Sequence, residues 1–308
     1  MPGAKRQRSA CGEHLKASGM EATIGLTEES RRYMAEPKPT EGARTDPEQT
    51  TIDAHADREV LNRQREHWTT TFDGRADRFG ADPSEPAREA TSLFLAEGKQ
   101  ELLELGAGQG RDTLYFARSG LRVHALDYAD SALEALRAKA HAAGFADAIT
   151  VSQQDVREPL PFADRSFDAC YSHMLLCMAL TTQDLEALAA EVQRVLRPGG
   201  LHVYTARTTD DAHYGTGIAR GDDMYEVGGF IVHFFSRPLV ERLSRGYELL
   251  DVAAAAPDLL DTSLCSISLR EKGLSWQRRT HSPRVTSSPW GHSLRGSAGA
   301  LPASVRWR

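Results

Sequence analysis

The sequence predicts an α/β protein built on a doubly wound sheet of seven strands. Two observations support this prediction. From residue 101 onward, apolar strand-like runs alternate with amphipathic helical stretches, a pattern typical of parallel sheets covered by helices. The first of these runs, Leu102–Leu105, breaks into three alternating glycines and is followed at once by a helical stretch. A strand, a glycine turn and a helix in that order form the ligand-binding corner of such sheets.

The overall composition excludes several classes of protein. The 308 residues are 40% hydrophobic and 26% charged, with a net charge of −6, whereas a dedicated nucleic-acid binder would show a strong basic bias. No apolar run approaches the roughly 18–20 residues that a membrane span needs. The four cysteines lack C-x-x-C spacing, so neither a zinc signature nor a disulfide framework is predicted. Such cysteine usage fits a reducing compartment, and we expect a cytoplasmic protein with no membrane contact.

Three segments are expected along the chain. Residues 1–55 carry scattered charge and no sustained periodicity, which predicts a disordered N-terminal extension. Residues 56–271 form the single folded domain. Residues 272–308 are predicted to be a basic disordered tail, because the stretch from Trp276 to Arg308 contains six arginines and no acidic residue. A nucleic-acid contact by this tail is the alternative.

Capping signals and apolar periodicity place the remaining elements. Ser84 is expected to cap a helix that has Pro86 in its first turn, and Thr182 to cap a later one. Pro198 and Gly199 are expected to stop that later helix. The predicted helices after the glycine turn are Asp112–Ser119, Ala132–Ala143, Thr182–Leu196 and Pro238–Arg245. The predicted strands are Leu121–Leu126, Ile149–Gln153, Ala169–Met174, His202–Ala206, Tyr247–Val252 and Ser263–Leu269, with a short extra strand at Ile231–Phe235.

The spacing of the glycines indicates the ligand. A dinucleotide fingerprint is G-x-G-x-x-G, and its third glycine position is occupied here by Arg111. The third glycine comes one residue earlier. The turn instead resembles the first motif of the class I S-adenosylmethionine-dependent methyltransferases, E/D-x-G-x-G-x-G, which Glu104, Gly106, Gly108 and Gly110 match.

Two further stretches strengthen this resemblance. The run L-P-F-x-D-x-S-F-D ends at Asp168, and V-L-R-P-G-G ends at Gly200; both are recurrent in the family before a strand. The resemblance covers roughly residues 65–270. It implies a Rossmann-like sheet with an antiparallel last strand, and S-adenosylmethionine as cofactor. Within the family, the chain is similar to uncharacterised bacterial small-molecule enzymes near the tellurite-resistance and thiopurine groups.

Several residues are candidates for binding the cofactor. Asp127 ends the second strand about 20 residues after the glycine turn, where an acid can accept hydrogen bonds from a ribose diol. Asp130 or Ser131 is expected to cap the following helix, which leaves Asp127 available. Tyr128 could stack on adenine, and the family commonly places an acid such as Asp155 against the adenine amino group. The predicted cofactor-binding set is completed by Val156 and Ser172.

The segment from residue 207 to residue 233 is the least generic part of the domain. Loops beyond about 12–15 residues are uncommon unless they are functional, so this one is expected to form the acceptor pocket. Its candidate substrate residues are Tyr214, Arg220, Tyr225 and Glu226. In this family N-terminal helices lie over the cofactor pocket, and Trp68 and Phe79 are expected to cover it or to be plain core aromatics.

The predicted reaction is an in-line displacement that transfers a methyl group from S-adenosylmethionine to a small-molecule acceptor. A general base is needed only if the acceptor must lose a proton. Its candidates are His173, His213 and His233, each of which could instead be structural, and no metal site is expected. A nucleic-acid substrate is disfavoured because N/D-P-P-Y/F is absent after the fourth strand. The alternative is a methyltransferase-fold binding or regulatory protein without catalysis.

Overall fold

The structure is a computed structural model that describes residues 54–73, 77–255 and 264–272. All of these residues belong to the compact unit Thr50–Arg308. The predicted N-terminal extension, apart from residues 54 and 55, and the predicted C-terminal tail, apart from residue 272, lie outside the described residues.

After two helices, strands and helices alternate from residue 101 to residue 207, except that a loop joins the third strand to the fourth, as predicted. The helices are α1 Ala54–Phe72, α2 Glu85–Ala96, α3 Arg111–Arg118, α4 Asp130–Ala142, α5 Thr182–Val195 and α6 Arg237–Leu243. The strands are β1 Glu101–Leu105, β2 Arg122–Asp127, β3 Ile149–Gln153, β4 Phe167–Ser172, β5 Leu196–Arg207, β6 Ile218–Ala219, β7 Met224–Val227, β8 Phe230–His233, β9 Tyr247–Ala255 and β10 Leu264–Glu271.

A seven-stranded sheet in the order β3-β2-β1-β4-β5-β10-β9 forms the centre of the molecule. The strands β1 to β5 pair in parallel, with Leu105 beside Ser172 where β1 and β4 end. The strand β10 lies antiparallel between β5 and β9. The predicted doubly wound, Rossmann-like sheet with an antiparallel last strand is therefore confirmed.

Apolar layers cover both faces of this sheet. One face packs Leu102, Val123 and Ala169 against residues of α2, α3 and α4. The opposite face packs other residues of β1, β4 and β5 against α5 and α6. Because strand residues alternate between faces, the parallel strands are buried on both sides, which explains their continuous apolar runs.

The helix boundaries follow local capping, and three predictions about them were wrong. Ser84 caps α2 as expected, accepting a hydrogen bond from the Ala87 N–H. The cap of α5 is Thr181 rather than Thr182, because the Thr181 and Asp184 side chains form a reciprocal capping box. Neither Asp130 nor Ser131 caps α4: its N-cap is Ala129, which makes no side-chain cap hydrogen bond. Pro198 and Gly199 do not stop α5 either, since it ends at Val195 and both lie within β5.

A buried polar cluster joins α2 to α3 and was not predicted. The Asp112 carboxylate accepts hydrogen bonds from the Ser84 N–H and hydroxyl at 2.8 and 2.7 Å, and the Tyr171 hydroxyl lies 3.2 Å from Ser84 Oγ. Asp112 and Ser84 are both buried. Moving α3 away would leave these buried polar groups unpaired, at a cost of about 1–3 kcal/mol each. The cluster therefore fixes the start of α3 relative to the rest of the domain.

The segment expected to be a long acceptor loop contains a small sheet of its own. The strands β6, β7 and β8 form an antiparallel three-stranded sheet, called the meander below. The two-residue turn between β7 and β8 is Gly228–Gly229, with φ of 57° and 83°, which suits a tight hairpin. The short strand expected at Ile231–Phe235 is β8, and it ends at His233.

Within the described parts of the chain, no helix is long and apolar enough to cross a membrane.

Candidate cofactor and acceptor site

The glycine turn connects β1 to α3 and is fixed to the end of β2. The N–H groups of Gly106 and Ala107 both donate to the Leu126 carbonyl, at 2.8 and 2.9 Å. The glycines at 106, 108 and 110 have φ of 74°, 51° and 83°, in the left-handed region that glycine adopts at low cost. The turn therefore lies at the carboxyl ends of β1 and β2, where ligands bind in doubly wound sheets.

Close packing also requires glycine at these positions. A Cβ at Gly110 would lie 2.1 Å from Leu136 Cδ1, and one at Gly106 would lie 3.0 Å from Leu175 Cβ. A Cβ at Gly108 would lie 3.3 Å from Phe72 Cζ. The turn is thus covered by α4, by the segment after β4 and by the end of α1.

Asp127 ends β2 beside this turn. Its Oδ2 accepts a hydrogen bond from the Gly108 N–H and its Oδ1 accepts one from the Ala129 N–H, both at 2.9 Å. Burial raises its pKa, and these backbone hydrogen bonds oppose the rise. Asp127 therefore connects the glycine turn to the start of α4. Since a carboxylate oxygen accepts more than one hydrogen bond, these contacts leave room for a ligand hydroxyl.

Glu104 is the most strongly perturbed carboxyl group of the turn. It is only 3% exposed, and its Oε2 has no hydrogen-bond partner within the described residues. Burial raises its pKa to about 8, and the nearby Asp112 and Asp127 carboxylates contribute to the rise. A hydrogen bond with Thr113 opposes this rise of the pKa. A buried carboxyl oxygen without a partner is costly, so one next to a glycine turn indicates a ligand that completes its environment.

Asp155 follows β3 and is paired with a residue that the sequence interpretation missed. Arg157 binds its carboxylate through Nε at 3.0 Å and through a terminal nitrogen at 2.7 Å. Burial alone would raise the pKa of Asp155, but the hydrogen bonds and charge of Arg157 outweigh it and lower the pKa. The neighbouring Val156 is buried, and burial raises the pKa of Tyr128 above its usual range.

Ser172 and His173 lie where β4 ends beside β1. Ser172 is fully buried, and its hydroxyl has no hydrogen-bond partner in the described part of the chain. The His173 Nδ1 lies 2.9 Å from the hydroxyl oxygen of Thr205, a buried residue of β5. Ser172, Glu104 and the glycine turn thus meet at the same edge of the sheet.

The other two candidate bases occupy different surroundings. His233 is 1% exposed, and its Nδ1 lies 2.7 Å from the Leu180 carbonyl, as expected of a structural histidine. Burial lowers its pKa, so the ring is neutral. His213 lies beside the buried pair of Arg207 and Asp211, with its Nδ1 2.8 Å from an Arg207 nitrogen and 3.2 Å from Asp211 Oδ1. The structure therefore does not bring the three histidines together.

The predicted substrate residues lie in and beside the meander. Arg220 forms an ion pair with Glu226. The Tyr214 hydroxyl donates to Asp223 at 2.8 Å, and the Tyr214 and Tyr225 rings pack edge to face at 5.5 Å. A pocket of about 180 Å³ lies between the meander and α1. Its lining includes Leu61, Thr181, Arg220, Asp222 and Met224.

The helix α1 contacts both the meander and the glycine turn. The side-chain amide of Gln64 donates to the Gly229 carbonyl at 2.8 Å and accepts from the Ile231 N–H at 3.2 Å. Further along α1, the Trp68 ring lies 4.9 Å from Phe230 and 5.8 Å from Phe72. The aromatic residues at the end of α1, together with Phe79, form a cluster beside Gly108.

Gln64 offers a test of the contact between α1 and the meander. Gln64→Leu leaves a buried carbonyl and a buried N–H without partners, and we expect it to lower the free energy of unfolding by about 2–3 kcal/mol. Urea denaturation measures this change. Thr70→Val is the matched control, because the Thr70 hydroxyl is exposed and bonds only within α1, to the Glu66 carbonyl. Equal losses in the two variants would contradict the proposed contact.

No group of three or more histidine, cysteine, aspartate or glutamate side chains in the described ranges could hold a metal ion. The described cysteines, Cys170, Cys177 and Cys265, are buried free thiols.

Comparison with known proteins finds similarity to methyltransferases. Residues 102–200 match the family model described as a methyltransferase domain. An uncharacterized methyltransferase of Synechocystis sp. is 32% identical over 110 residues, which cover 36% of this chain and 48% of that protein. A malonyl-[acyl-carrier protein] O-methyltransferase of Erwinia billingiae is 32% identical over 125 residues, which cover 41% of this chain and 46% of that protein. The chain thus spans about half the length of these curated relatives.

Solved structures agree on the fold. A 1,6-didemethyltoxoflavin-N1-methyltransferase of Burkholderia thailandensis, solved with S-adenosylhomocysteine, has a TM-score of 0.56 at 20% identity, covering 72% of this chain and 92% of that one. An S-adenosylmethionine-dependent methyltransferase of Methanosarcina mazei has a TM-score of 0.53 at 20% identity, and the match covers 59% of this chain and 97% of that one. Residues 102–200 therefore match a methyltransferase domain. The seven-stranded sheet has the Rossmann-like fold of these S-adenosylmethionine-dependent methyltransferases.

The residues present fit the cofactor of that class. S-adenosylmethionine has a positively charged sulfonium and amino group, a ribose and an adenine. Glu104 Oε2 and the Ser172 hydroxyl, which have no hydrogen-bond partner among the described residues, supply polar atoms at the turn, and Asp127 supplies a carboxylate. The three glycines keep the backbone open to close approach.

Proposed function

We propose that this protein transfers a methyl group from S-adenosylmethionine to a small-molecule acceptor, and that the meander and α1 form the acceptor pocket. The buried carboxyl group of Glu104 carries the proposal, because its Oε2 has no hydrogen-bond partner among the described residues and fits a cationic ligand. It lies beside the glycine turn, where ligands bind in this fold. The matched methyltransferase domain over residues 102–200 supports the same activity.

The bound cofactor supplies the reactive methyl carbon, and the protein aligns the acceptor with it. Alignment of reacting groups is worth on the order of 7–11 kcal/mol at best. In our proposal Glu104 and the glycine turn hold the charged end of the cofactor, while Asp127 binds its ribose. Tyr128, Asp155 and Val156 lie against the adenine, with Arg157 orienting the Asp155 carboxylate. Closure of the site by α1 and the aromatic cluster would exclude water.

The acceptor is proposed to lie in the pocket between α1 and the meander. Its walls combine apolar side chains such as Leu61 and Met224 with the charged Arg220 and Asp222, which suits a compact molecule with a polar group. The names of the relatives include an oxygen methyltransferase and a ring-nitrogen methyltransferase, and acceptors of both kinds merit testing.

Three further predictions belong to this proposal. The domain comprises residues 56–271 between two extensions. Its location is the cytoplasm, which the buried free thiols of Cys170, Cys177 and Cys265 support. Similarity to the tellurite-resistance and thiopurine groups stays a prediction, and thiols and metalloids are therefore included among the acceptors to be screened.

Calorimetric titration of the full chain tests the proposal. We expect micromolar binding of S-adenosylmethionine and no binding of NADH, because the turn lacks the third glycine of a dinucleotide site. Binding of NADH alone would overturn the assignment of the turn. A protein that binds S-adenosylmethionine but methylates no compound in a broad acceptor screen would instead be a binding or regulatory protein.

Substitution of Asp127 tests the ribose contact. Asp127→Ala is expected to weaken S-adenosylhomocysteine binding about 10–100-fold, since hydrogen bonds to charged groups contribute about 1.5–3 kcal/mol. The control is an analogue that lacks the ribose 2′ and 3′ hydroxyls. The substitution should weaken binding of this analogue much less. Equal losses for both ligands would show that Asp127 acts only through its backbone hydrogen bonds to the turn.

A further inference from the structure

The pocket between α1 and the meander has an apolar wall. Leu61 of α1 packs with Met224 of β7 and Ile231 of β8, and all three side chains are buried. The same three residues line the pocket, together with two charged residues, Arg220 and Asp222. The two charges therefore decide which polar group this pocket accepts.

The charge of Arg220 is compensated within the meander. Arg220 binds the Glu226 carboxylate through Nε at 3.0 Å and through a terminal nitrogen. Glu226 lies opposite Ile231 in the pairing of β7 with β8, and cross-strand neighbours point to the same side of a sheet. The ion pair therefore lies on the side of the meander that lines the pocket, and it adds no net charge there.

The charge of Asp222 has no such partner. Its Oδ2 accepts a hydrogen bond from the Thr182 N–H at 3.0 Å, at the start of α5, where a helix favours a negative charge. Its Oδ1 accepts no hydrogen bond from the described residues, and none of them forms an ion pair with Asp222. Arg242 acts on Asp222 electrostatically, but its guanidinium is paired with Glu186. Asp222 therefore gives the pocket one uncompensated negative charge.

We infer that the acceptor carries a cationic amino group and that Asp222 is the residue that selects it. An ammonium group donates charge-assisted hydrogen bonds to a carboxylate, and these are stronger than hydrogen bonds between neutral groups. An acceptor with a carboxylate or phosphate in the same place would meet Asp222 as a like charge, which disfavours its binding. This inference rests on the proposed function in placing the acceptor in this pocket.

The amino group anchors the acceptor and is not the atom that is methylated. An ammonium nitrogen has no lone pair, so it cannot attack the methyl carbon while it is bound to Asp222. The lone pair of another atom in the same molecule forms the bond to the methyl carbon, the carbon–sulfur bond breaks, and its electrons stay on sulfur. The apolar wall of Leu61, Met224 and Ile231 suits the part of the molecule that joins these two groups.

Three probes that share one apolar body test this inference on the full chain. At neutral pH phenethylamine is a cation, phenylacetate is an anion and phenethyl alcohol is neutral. Carbon-13 labelled methionine methyl groups report binding by NMR, and Met224→Leu assigns the signal of Met224 among the six methionines. We expect phenethylamine to shift this signal at concentrations about tenfold lower than phenylacetate does. Tighter binding of phenylacetate would overturn the inference.

Asp222→Asn removes the charge of this side chain and keeps its shape. Asparagine can still accept the Thr182 N–H, and it tolerates the left-handed backbone at φ of 52°. The substitution should weaken binding of phenethylamine about tenfold and leave that of phenethyl alcohol unchanged. Asp223→Asn is the matched control, because Asp223 has a similar φ of 58° but is not among the residues that line the pocket. Equal losses in the two variants would overturn the role of Asp222.

These measurements are independent of cofactor binding. If none of the three probes shifts the Met224 signal, the inference fails, even where calorimetry shows that S-adenosylmethionine binds. Selective binding of phenethylamine by a protein that does not bind S-adenosylmethionine would instead overturn the proposed function and support Asp222 as the site of a cation. The comparison of the three probes in the wild-type protein decides the inference without any variant.

Discussion

Replacing Glu104 with glutamine is expected to weaken S-adenosylmethionine binding about 10–100-fold and to abolish most of its dependence on pH. The ligand is a cation, and a cation beside a carboxyl group favours its ionised form. Because the pKa of Glu104 is about 8 before binding, ionisation on binding releases a proton below that pH. Wild-type affinity should therefore rise with pH up to about 8, by at most about tenfold per pH unit. Calorimetry between pH 6 and pH 9 measures both effects.

The same carboxyl group makes the folded protein less stable as pH rises, whereas it makes ligand binding tighter. Its folded-state pKa of about 8 lies above the usual 4.5, so between these values the unfolded chain has lost a proton that the folded protein keeps. The contribution of Glu104 to the free energy of unfolding is therefore largest below pH 4.5 and falls as pH rises to about 8, by about 5 kcal/mol at most. Glu104→Gln should reduce this slope in urea denaturation without ligand.

Glu101→Gln is the matched control for both measurements. Glu101 lies on the same strand but forms a surface ion pair with Arg122. We expect it to leave ligand affinity unchanged and to alter stability by less than about 1 kcal/mol. An identical pH dependence in the wild-type protein and in Glu104→Gln would contradict the assignment of Glu104.

Gly110→Ala is expected to destabilise the protein by about 2–5 kcal/mol and to abolish measurable cofactor binding. The left-handed backbone at φ of 83° costs alanine about 1–2 kcal/mol. The new Cβ would lie 2.1 Å from Cδ1 and 3.1 Å from Cγ of the fully buried Leu136, and such overpacking costs about 1–3 kcal/mol more. Relief of this contact displaces either the turn or α4. Thermal and urea denaturation measure the loss.

A second glycine distinguishes the cost of the left-handed backbone from the cost of the collision with Leu136. Gly120 has φ of 93°, and a Cβ there would meet nothing within 4 Å, so Gly120→Ala should show only the backbone cost. Adding Leu136→Ala to Gly110→Ala should recover part of the extra loss, because it removes the atoms that collide. Equal losses at the two glycines, with no recovery, would rule out the collision with Leu136.

Much of the fold could be predicted from short-range patterns. The run Leu102–Leu105 followed by alternating glycines predicted a strand and a glycine turn, and β1 and the turn after it occupy these residues. The strand β10 was also expected near residue 264, whereas its antiparallel direction was implied by the family resemblance. The positions of these elements depend on residues that are close together in the sequence. The period of the hydrophobic residues and the positions of the glycines are therefore sufficient to predict them.

The meander was missed although a signal for it was present. Gly228–Gly229 separates two runs of four strand residues, a pattern typical of a hairpin with a tight turn. The cap at Thr181 also had a visible signal, the Thr-x-x-Asp spacing to Asp184. Both were overlooked because the region was interpreted as a loop and the cap was placed one residue later.

Other features of the site could not be predicted because they join distant residues. Ser84 meets Asp112 across 28 positions, and Gln64 meets Gly229 across 165. Thr205 meets His173 across 32 positions, from one strand to the turn after another. A single sequence specifies which elements form. It does not state which polar side chains will satisfy one another once those elements pack.

The position of β10 in the sheet has a consequence for how the protein assembles during synthesis. This strand is the last of the sheet in the sequence, yet it lies between β5 and β9 rather than at an edge. Until residues 264–271 emerge from the ribosome, β9 has no partner in the sheet and β5 has an unpaired edge, which is the kind of edge that pairs with other chains. A nascent chain paused before Leu264 should therefore expose an aggregation-prone edge and bind chaperones that recognise unpaired strands.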